Sequence, residues 1–290
     1  MTLALQTLFS SLVNGSSFVL IGLGIVLCYR SSRVVNLAQG ETYSASGLLI
    51  AKLVAFGIPM AAASVCGIAL AAVFSLVFER LALRSRLHWS PSRLIIVALG
   101  VALLAEGIDE RLVGANTYNF PAFISGGSIR IAGAAISRQE AALVLVAFAA
   151  AGGLVWFFRR TLVGNAMTAC AENPRASSAL GVNVARMRQL SYGAAGVLGG
   201  ITALLLVPST GITYDAGLTI TLNGFVAAAF ANMVNPGRVL WGGMALGLGE
   251  GIIGSYVSPL YEVPLVFGVV LLVGVAYLSR GVRFGGALRA

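Results

Sequence analysis

Charge is scarce in this chain. Only 10% of its 290 residues are Asp, Glu, Lys or Arg, against about 25% in ordinary soluble domains. There is one histidine, His88, one lysine, Lys52, and three cysteines. A phosphate-binding loop needs a lysine after Gly-x-x-x-x-Gly, and Lys52 stands between Ala51 and Leu53. The chain therefore carries no ATP site of that kind. One histidine and no paired intramembrane acids give a hydrolase or metal centre no support, so no catalytic residue, metal ligand or cofactor is assigned. Cys28, Cys66 and Cys170 are scattered without metal-type or disulfide-type pairing and read as small hydrophobes. His88, beside Arg84, Arg86 and Trp89, reads as an interfacial residue.

What the chain has instead is apolar length. Hydrophobic residues make up 58% of it and the mean hydropathy is +0.91, values of a bilayer protein. Spans need about 20 mainly apolar residues, and nine segments qualify: 3–28, 37–57, 59–78, 94–112, 140–158, 189–207, 218–235, 239–257 and 263–279. The second holds Glu41 and Lys52, and the seventh holds Asn223, Asn232 and Asn235, so either can be broken or re-entrant. The expected fold is all-α, a single polytopic domain over residues 1–290 with eight or nine transmembrane helices. No soluble domain, low-complexity linker or internal repeat is evident. Leu3 to Leu27 lacks a basic start and is too long for a signal core, so it reads as a retained first span.

The net charge of +9 and the pI near 10.1 do not indicate nucleic acid, because the basic residues lie between apolar spans and form no continuous face. They suit the positive-inside rule. Arg30 and Arg33, then Arg80 to Arg93, then Arg159 to Arg188, then Arg238 and the tail Arg280, Arg283 and Arg289 all fall on one side if the N-terminus is outside and the C-terminus cytoplasmic. Lys52, Arg111, Arg130 and Arg138 are left on the other side, with residues 113–139 as the main outer loop. Glycines at four-residue spacing, Gly196 and Gly200, then Gly243, Gly247 and Gly251, allow close helix packing, either within one subunit or at a dimer seam.

The loop 159–188 is long for a connector and contains its own helix signals. Asn173 is a good N-cap, Pro174 suits the first helical position, and Gly181 supplies a left-handed stop. The spacing predicts a two-turn helix over 175–180 that exposes the small residues Ala176, Ser177, Ser178 and Ala179 to a partner's cleft, with Glu172 beside its start. Elsewhere, polar residues inside spans are costly and face a path or another helix. Asn36, Gln39 and Glu41 crowd the start of the second span, Thr221 and Asn223 the start of the seventh, and Glu250 lies in the eighth. They are candidates for a translocation path. Glu106, Asp109 and Glu110 read as residues near the outer water boundary.

Three stretches carry a resemblance. Ala169 through Val184 is similar to the coupling loop of permease subunits of ATP-driven importers in the branched-chain amino acid family. Arg33-Val34-Val35-Asn36-Leu37-Ala38-Gln39-Gly40-Glu41 resembles that family's early Asn-x-Ala-His-Gly signature, and Phe225 through Gly243 with Gly249-Glu250 resembles its late Gly-Gly and Gly-x-x-Glu region. The match follows the family in order and spacing over most of the chain. It implies a permease of the bacterial inner membrane that works with a second permease subunit, homologous or identical, two cytosolic ATP-binding subunits and an external solute-binding protein. ATP would be bound by those partners, and Glu172, Asn173, Pro174, Arg175, Ala176 and Gly181 would meet them. Gln39 replaces the family's common His, Asn223 its Lys, and Phe230-Ala231-Asn232 a Gly-Gly step. These departures bear on the solute and leave branched-chain amino acids, urea, a short amide or a similar small molecule open. The competing class is a secondary transporter or channel that works without ATPase subunits.

Overall fold

The structure is a computed structural model that describes residues 2–87, 89–124, 126–131 and 133–261, together with Pro264, Gly268 and Leu272. The expected ninth span, the tail arginines and His88 lie outside the described residues. Each of the other eight expected segments is helical. They form α1 (Thr2–Ser32), α2 (Gln39–Ala55), α3 (Met60–Val77, continued by a π-helical turn, Phe78–Leu83), α4 (Pro91–Val113), α5 (Arg138–Arg160), α8 (Val184–Thr210), α9 (Ala216–Phe230) and α10 (Pro236–Tyr256). The loop between α5 and α8 adds α6 (Leu162–Glu172) and α7 (Pro174–Ala179). Among the described residues, five helices are long and apolar enough to cross a membrane: α1, α3 with its π turn, α4, α5 and α8. The chain is a multi-pass membrane protein. A small departure from an all-α fold is the hairpin β1 (Ile129–Ile131) and β2 (Ala134–Ile136), paired antiparallel in the loop 114–137.

α1 is the axis of the bundle. It packs against α10, α8, α9 and α5, and side chains from Phe18 to Cys28 are nearly all solvent-free. Glycine makes this crowding possible. A Cβ on Gly247 would lie 2.5 Å from Gly15 Cα, and Gly243 meets Val19 and Gly15 in the same way, so the α10 stripe packs on α1. Gly196 and Gly200 of α8 likewise sit on the backbone of α3 at Ala72 and Ile68. Both glycine series therefore serve packing inside one chain.

Two expected spans are shorter than their apolar runs. α9 stops at Phe230 rather than Asn235 because Asn232 and Met233 adopt left-handed backbone, at φ of 53° and 57°, and Asn235 already caps α10 through its bond from the Gly237 N–H at 3.0 Å. Its 15 residues measure about 22 Å, less than the hydrocarbon thickness of about 30 Å. α2 has 17 residues and begins inside the protein. Residues 33–38 leave α1 in non-helical backbone, and Val34, Asn36 and Ala38 in that segment are buried. The segment delivers Gln39 against Gly24, eight residues back along α1, or about 12 Å from that helix's end. The polar start of the second expected span is thus a buried, non-helical entry into α2.

The ends of the bundle differ in charge and in structure. At one end Gln6 of α1 exchanges hydrogen bonds with the Ala135 backbone at 3.2 and 3.0 Å, and Lys52 Nζ lies 3.3 Å from the Tyr118 hydroxyl and over its ring. Tyr118 and Ile212 bond backbone to backbone, which ties the 114–137 loop to the segment between α8 and α9. At the other end Arg30 donates to Thr168 Oγ1 at 2.8 Å and to the Val234 carbonyl, and stacks 3.9 Å over the Phe158 ring. Most of the chain's arginines gather at this second end.

Candidate functional site

Two places hold the residues singled out from the sequence. The first is the buried entry into α2. Gly40 enters α2 flush against α9, where a Cβ would strike the Gly217 carbonyl and the Thr221 hydroxyl. In that space the Gly40 N–H donates to Thr221 Oγ1 at 2.8 Å, and Thr221 donates to the Gly217 carbonyl at 2.8 Å. Asn36 donates to Gln39 Oε1 at 3.3 Å and its own Oδ1 accepts from the Ala38 N–H at 3.1 Å, which closes the turn. Gln39 donates to the Ala195 carbonyl of α8 at 2.8 Å. Asn36, Gln39, Glu41 and Thr221 are at most 1% exposed. The Glu41 carboxylate fills the place of a Gly217 side chain, where a Cβ would come within 2.6 Å of Cδ and Oε2.

These four residues form one cluster, and the other two candidates stand apart from it. Asn223 is buried in α9 two residues past Thr221, so it faces another direction. Glu250 is buried in α10, whose next residue packs on Ser11, while α9 reaches α1 at Gly22. Eleven residues of α1 separate those levels, about 16 Å.

The cluster also extends further than its motif. Ser44, one turn beyond Glu41, donates to Asp109 Oδ2 of α4 at 3.4 Å and to the Tyr214 carbonyl at 3.3 Å. Asp109, read from the sequence as a boundary residue, is therefore joined to the α2 entry. Spacing within α4 gives no hint of that, because the contact depends on how α2 and α4 cross.

The second place is the arm between α5 and α8. Thr161 caps α6 by accepting from the Gly164 N–H at 3.0 Å. α6 was not expected from the sequence, although Thr161 before Leu162 is a usable start signal. Gly164, Met167 and Cys170 bury one face of it. Asn173 caps α7 through Oδ1, which accepts from the Ala176 N–H at 3.0 Å, and Pro174 takes the first turn as expected. α7 ends in a Schellman turn: the Val182 N–H bonds the Ser177 carbonyl and the Gly181 N–H the Ser178 carbonyl, both at 3.0 Å, with Gly181 at φ +83°. A Cβ on Gly181 would meet nothing within 4 Å, so its requirement is conformational alone.

Glu172, Asn173, Pro174, Arg175, Ala176 and Gly181 are all exposed, as are Ser178, Ala179 and Leu180. Ser177 corrects the expectation of a fully exposed small face, since it is 4% exposed and turned inward. Leu180 is instead 85% exposed, a large apolar side chain at the tip of the arm.

An ion pair fastens the foot of this arm. Arg188 Nε of α8 donates to Glu79 Oε1 at 3.0 Å, in the π-helical turn after α3, with Glu79 wholly buried. Tyr192, one turn along α8, is buried against Phe78 with its hydroxyl 3.2 Å from Ser32 Oγ of α1. From the sequence these residues were only part of a basic cluster and the end of an apolar run. A π-helical turn, common where side chains are re-aimed, carries no simple sequence mark.

The chain is similar to known permeases along nearly all its length. The family model described as branched-chain amino acid transport system / permease component matches residues 7–280. The high-affinity branched-chain amino acid transport system permease protein LivH of Escherichia coli strain K12 is 26% identical over 283 residues, covering 93% of this chain and 92% of the relative. BraD of Pseudomonas aeruginosa, described in the same words, is 26% identical over 284 residues with the same coverage. A probable LivH of Methanocaldococcus jannaschii is 25% identical, covering 90% of this chain and 85% of the relative. Among solved structures, PsaBC from Streptococcus pneumoniae in complex with Fab matches with a TM-score of 0.50 at 13% identity, over 96% of this chain and 91% of that one, a likeness of fold alone. A match over residues 7–280 leaves no separate part of the described fold outside it, and the chain belongs to the branched-chain amino acid transport permease family.

Proposed function

We propose that this chain is the permease subunit of an ATP-driven importer that moves branched-chain amino acids or a similar small polar organic solute across the bacterial inner membrane. Its partners are a second permease subunit, two cytosolic ATP-binding subunits and an external solute-binding protein. The names of the relatives support the transport class. The observation that carries the coupling role is the arm of α6 and α7. A short helix capped at both ends projects Arg175, Ala176 and Leu180 from the arginine-rich end of the bundle. Closure of the ATP-binding subunits pushes on α7, and the rigid Schellman turn passes that displacement into α8. There the Arg188–Glu79 pair joins the arm to α3. Further along α8, Ala195 meets Gln39 and Gly199 meets Thr42, so the same helix that starts at the arm runs past the buried residues of the α2 entry. The candidate path is Asn36, Gln39, Glu41 and Thr221, with Asn223 and Glu250 lining other levels. The N-terminus lies outside and the C-terminus in the cytoplasm.

Two measurements test this reading. In reconstituted complexes, Ala176→Trp enlarges the exposed face and Gly181→Val forces a β-branched residue into left-handed backbone. Both variants should insert normally yet lose the stimulation of ATP hydrolysis by loaded binding protein, and full stimulation in both would refute the coupling role. In a background lacking the three native cysteines, cysteines at Ser178 and Ser128 should react with impermeant reagent from opposite sides of the membrane. Labelling of both from outside intact cells would overturn the orientation.

A further inference from the structure

Glu41 is the buried residue of the α2 entry whose side-chain oxygens have no hydrogen-bond partner. It is 0% exposed, and neither carboxylate oxygen accepts a hydrogen bond. The surrounding polar groups are committed elsewhere: the Gly40 N–H to Thr221, the Gln39 amide to Ala195 and the Thr42 hydroxyl to the Gln39 carbonyl. Burying an ionised carboxylate without a partner costs several kcal/mol, and a positively charged group of a ligand would offset that cost.

The neighbouring charge has the same sign. Asp109 of α4 is held one turn along α2 from Glu41, through Ser44 at 3.4 Å, and Glu106 stands one turn before Asp109 on α4. Both α4 acids are half-buried, which leaves an approach from that side. The lone lysine is eleven residues further along α2, about 16 Å away. An ionised carboxylate only accepts hydrogen bonds, whereas an ammonium presents three donors and a positive charge. A neutral amide would leave the charges uncompensated, and an anion would be repelled.

We propose that Glu41 and Asp109 form an ammonium-recognising subsite of the translocation path, so that the solute carries a protonated amine and is not urea, a neutral amide or an anion. This subsite rests on the importer reading above and narrows its substrate. Gly217 is a positioning residue for it, since only a missing side chain there leaves room for the Glu41 carboxylate.

The test uses the complete complex in liposomes, with radiolabelled L-leucine, acetamide and urea as probes. Glu41→Gln has the shape of a protonated carboxyl and should cut leucine uptake at least about tenfold, the loss expected when one member of a buried charge contact is neutralised. The variant complex should still assemble, with all its subunits recovered together in detergent. Asp109→Asn, at a half-buried position where folding is not at stake, should reduce leucine uptake several-fold in the same way, and it decides the matter if the Glu41 variant does not assemble. Unchanged leucine uptake in both variants would make Glu41 a neutral structural group and overturn the subsite. ATP-dependent uptake of acetamide or urea in place of leucine by the unmutated complex would overturn the subsite and leave the importer standing. Leucine uptake independent of ATP, still lost in Glu41→Gln, would refute the importer and leave the subsite standing.

Discussion

Residues 33–42 and residues 161–183 are both polar interruptions of an apolar chain, yet different forces hold them in shape. The arm is fixed by bonds between near neighbours: Thr161 to Gly164, Asn173 to Ala176, Gly181 to Ser178, Asn183 to Arg186. Most of its residues are exposed. The entry into α2 is fixed by distant partners, Ala195, Gly217 and Thr221, and is closed to water. Locally specified structure can be pushed as a unit without losing its form, which suits a part that meets another protein. A segment specified by its surroundings changes only when those surroundings move, which suits a part that must respond to helices shifting around it.

The sharpest way to break the comparison is to fill the contact at the α2 entry. Gly40→Leu drives a side chain into the α9 backbone, which cannot give way as a flexible side chain would. The expected loss exceeds about 3 kcal/mol, read as the absence of a folded peak in detergent size-exclusion chromatography. An intact peak of normal thermal stability would show the entry to be as tolerant as the arm. The next largest effect belongs to the ion pair at the foot of the arm. Arg188→Met leaves Glu79 charged and buried and should cost about 3–5 kcal/mol, seen as a fall in thermal midpoint in detergent. Adding Glu79→Leu should restore most of that loss, and failure to do so would mean that the cost lies in packing and not in the stranded charge.

The smallest effect is expected within the arm itself. Asn173→Ala removes one cap and should cost about 1 kcal/mol, visible as faster hydrogen exchange confined to residues 174–180 with the global midpoint unchanged. A fall in the midpoint would show that the arm is not the locally specified unit that its bonds describe.

The same contrast explains what the sequence revealed. Asn173, Pro174 and Gly181 act on their immediate neighbours, so α7 and its stop were legible within a residue or two. Ser177 was misread as exposed because its burial depends on where the rest of the arm lies, and α6 was missed because its buried face is built on Gly164 as well as apolar side chains. The apolar runs located the main helices, but the end of α9 depends on the left-handed Asn232 and Met233. Asn36, Gln39, Glu41 and Thr221 were recognisable as polar residues out of place. Their meeting, and the tie from Ser44 to Asp109, depends on how α2, α4 and α9 cross, which no single segment encodes.

Lys52 has a practical consequence at the opposite end from the arm. As the chain's single lysine it offers an acylating reagent one side-chain amine, and that amine is held beside the Tyr118 hydroxyl under the 114–137 loop. The rate at which it is acylated therefore reports how often the loop lifts from α2. Mass spectrometry can follow that rate at one peptide in the unaltered protein, without a probe being introduced.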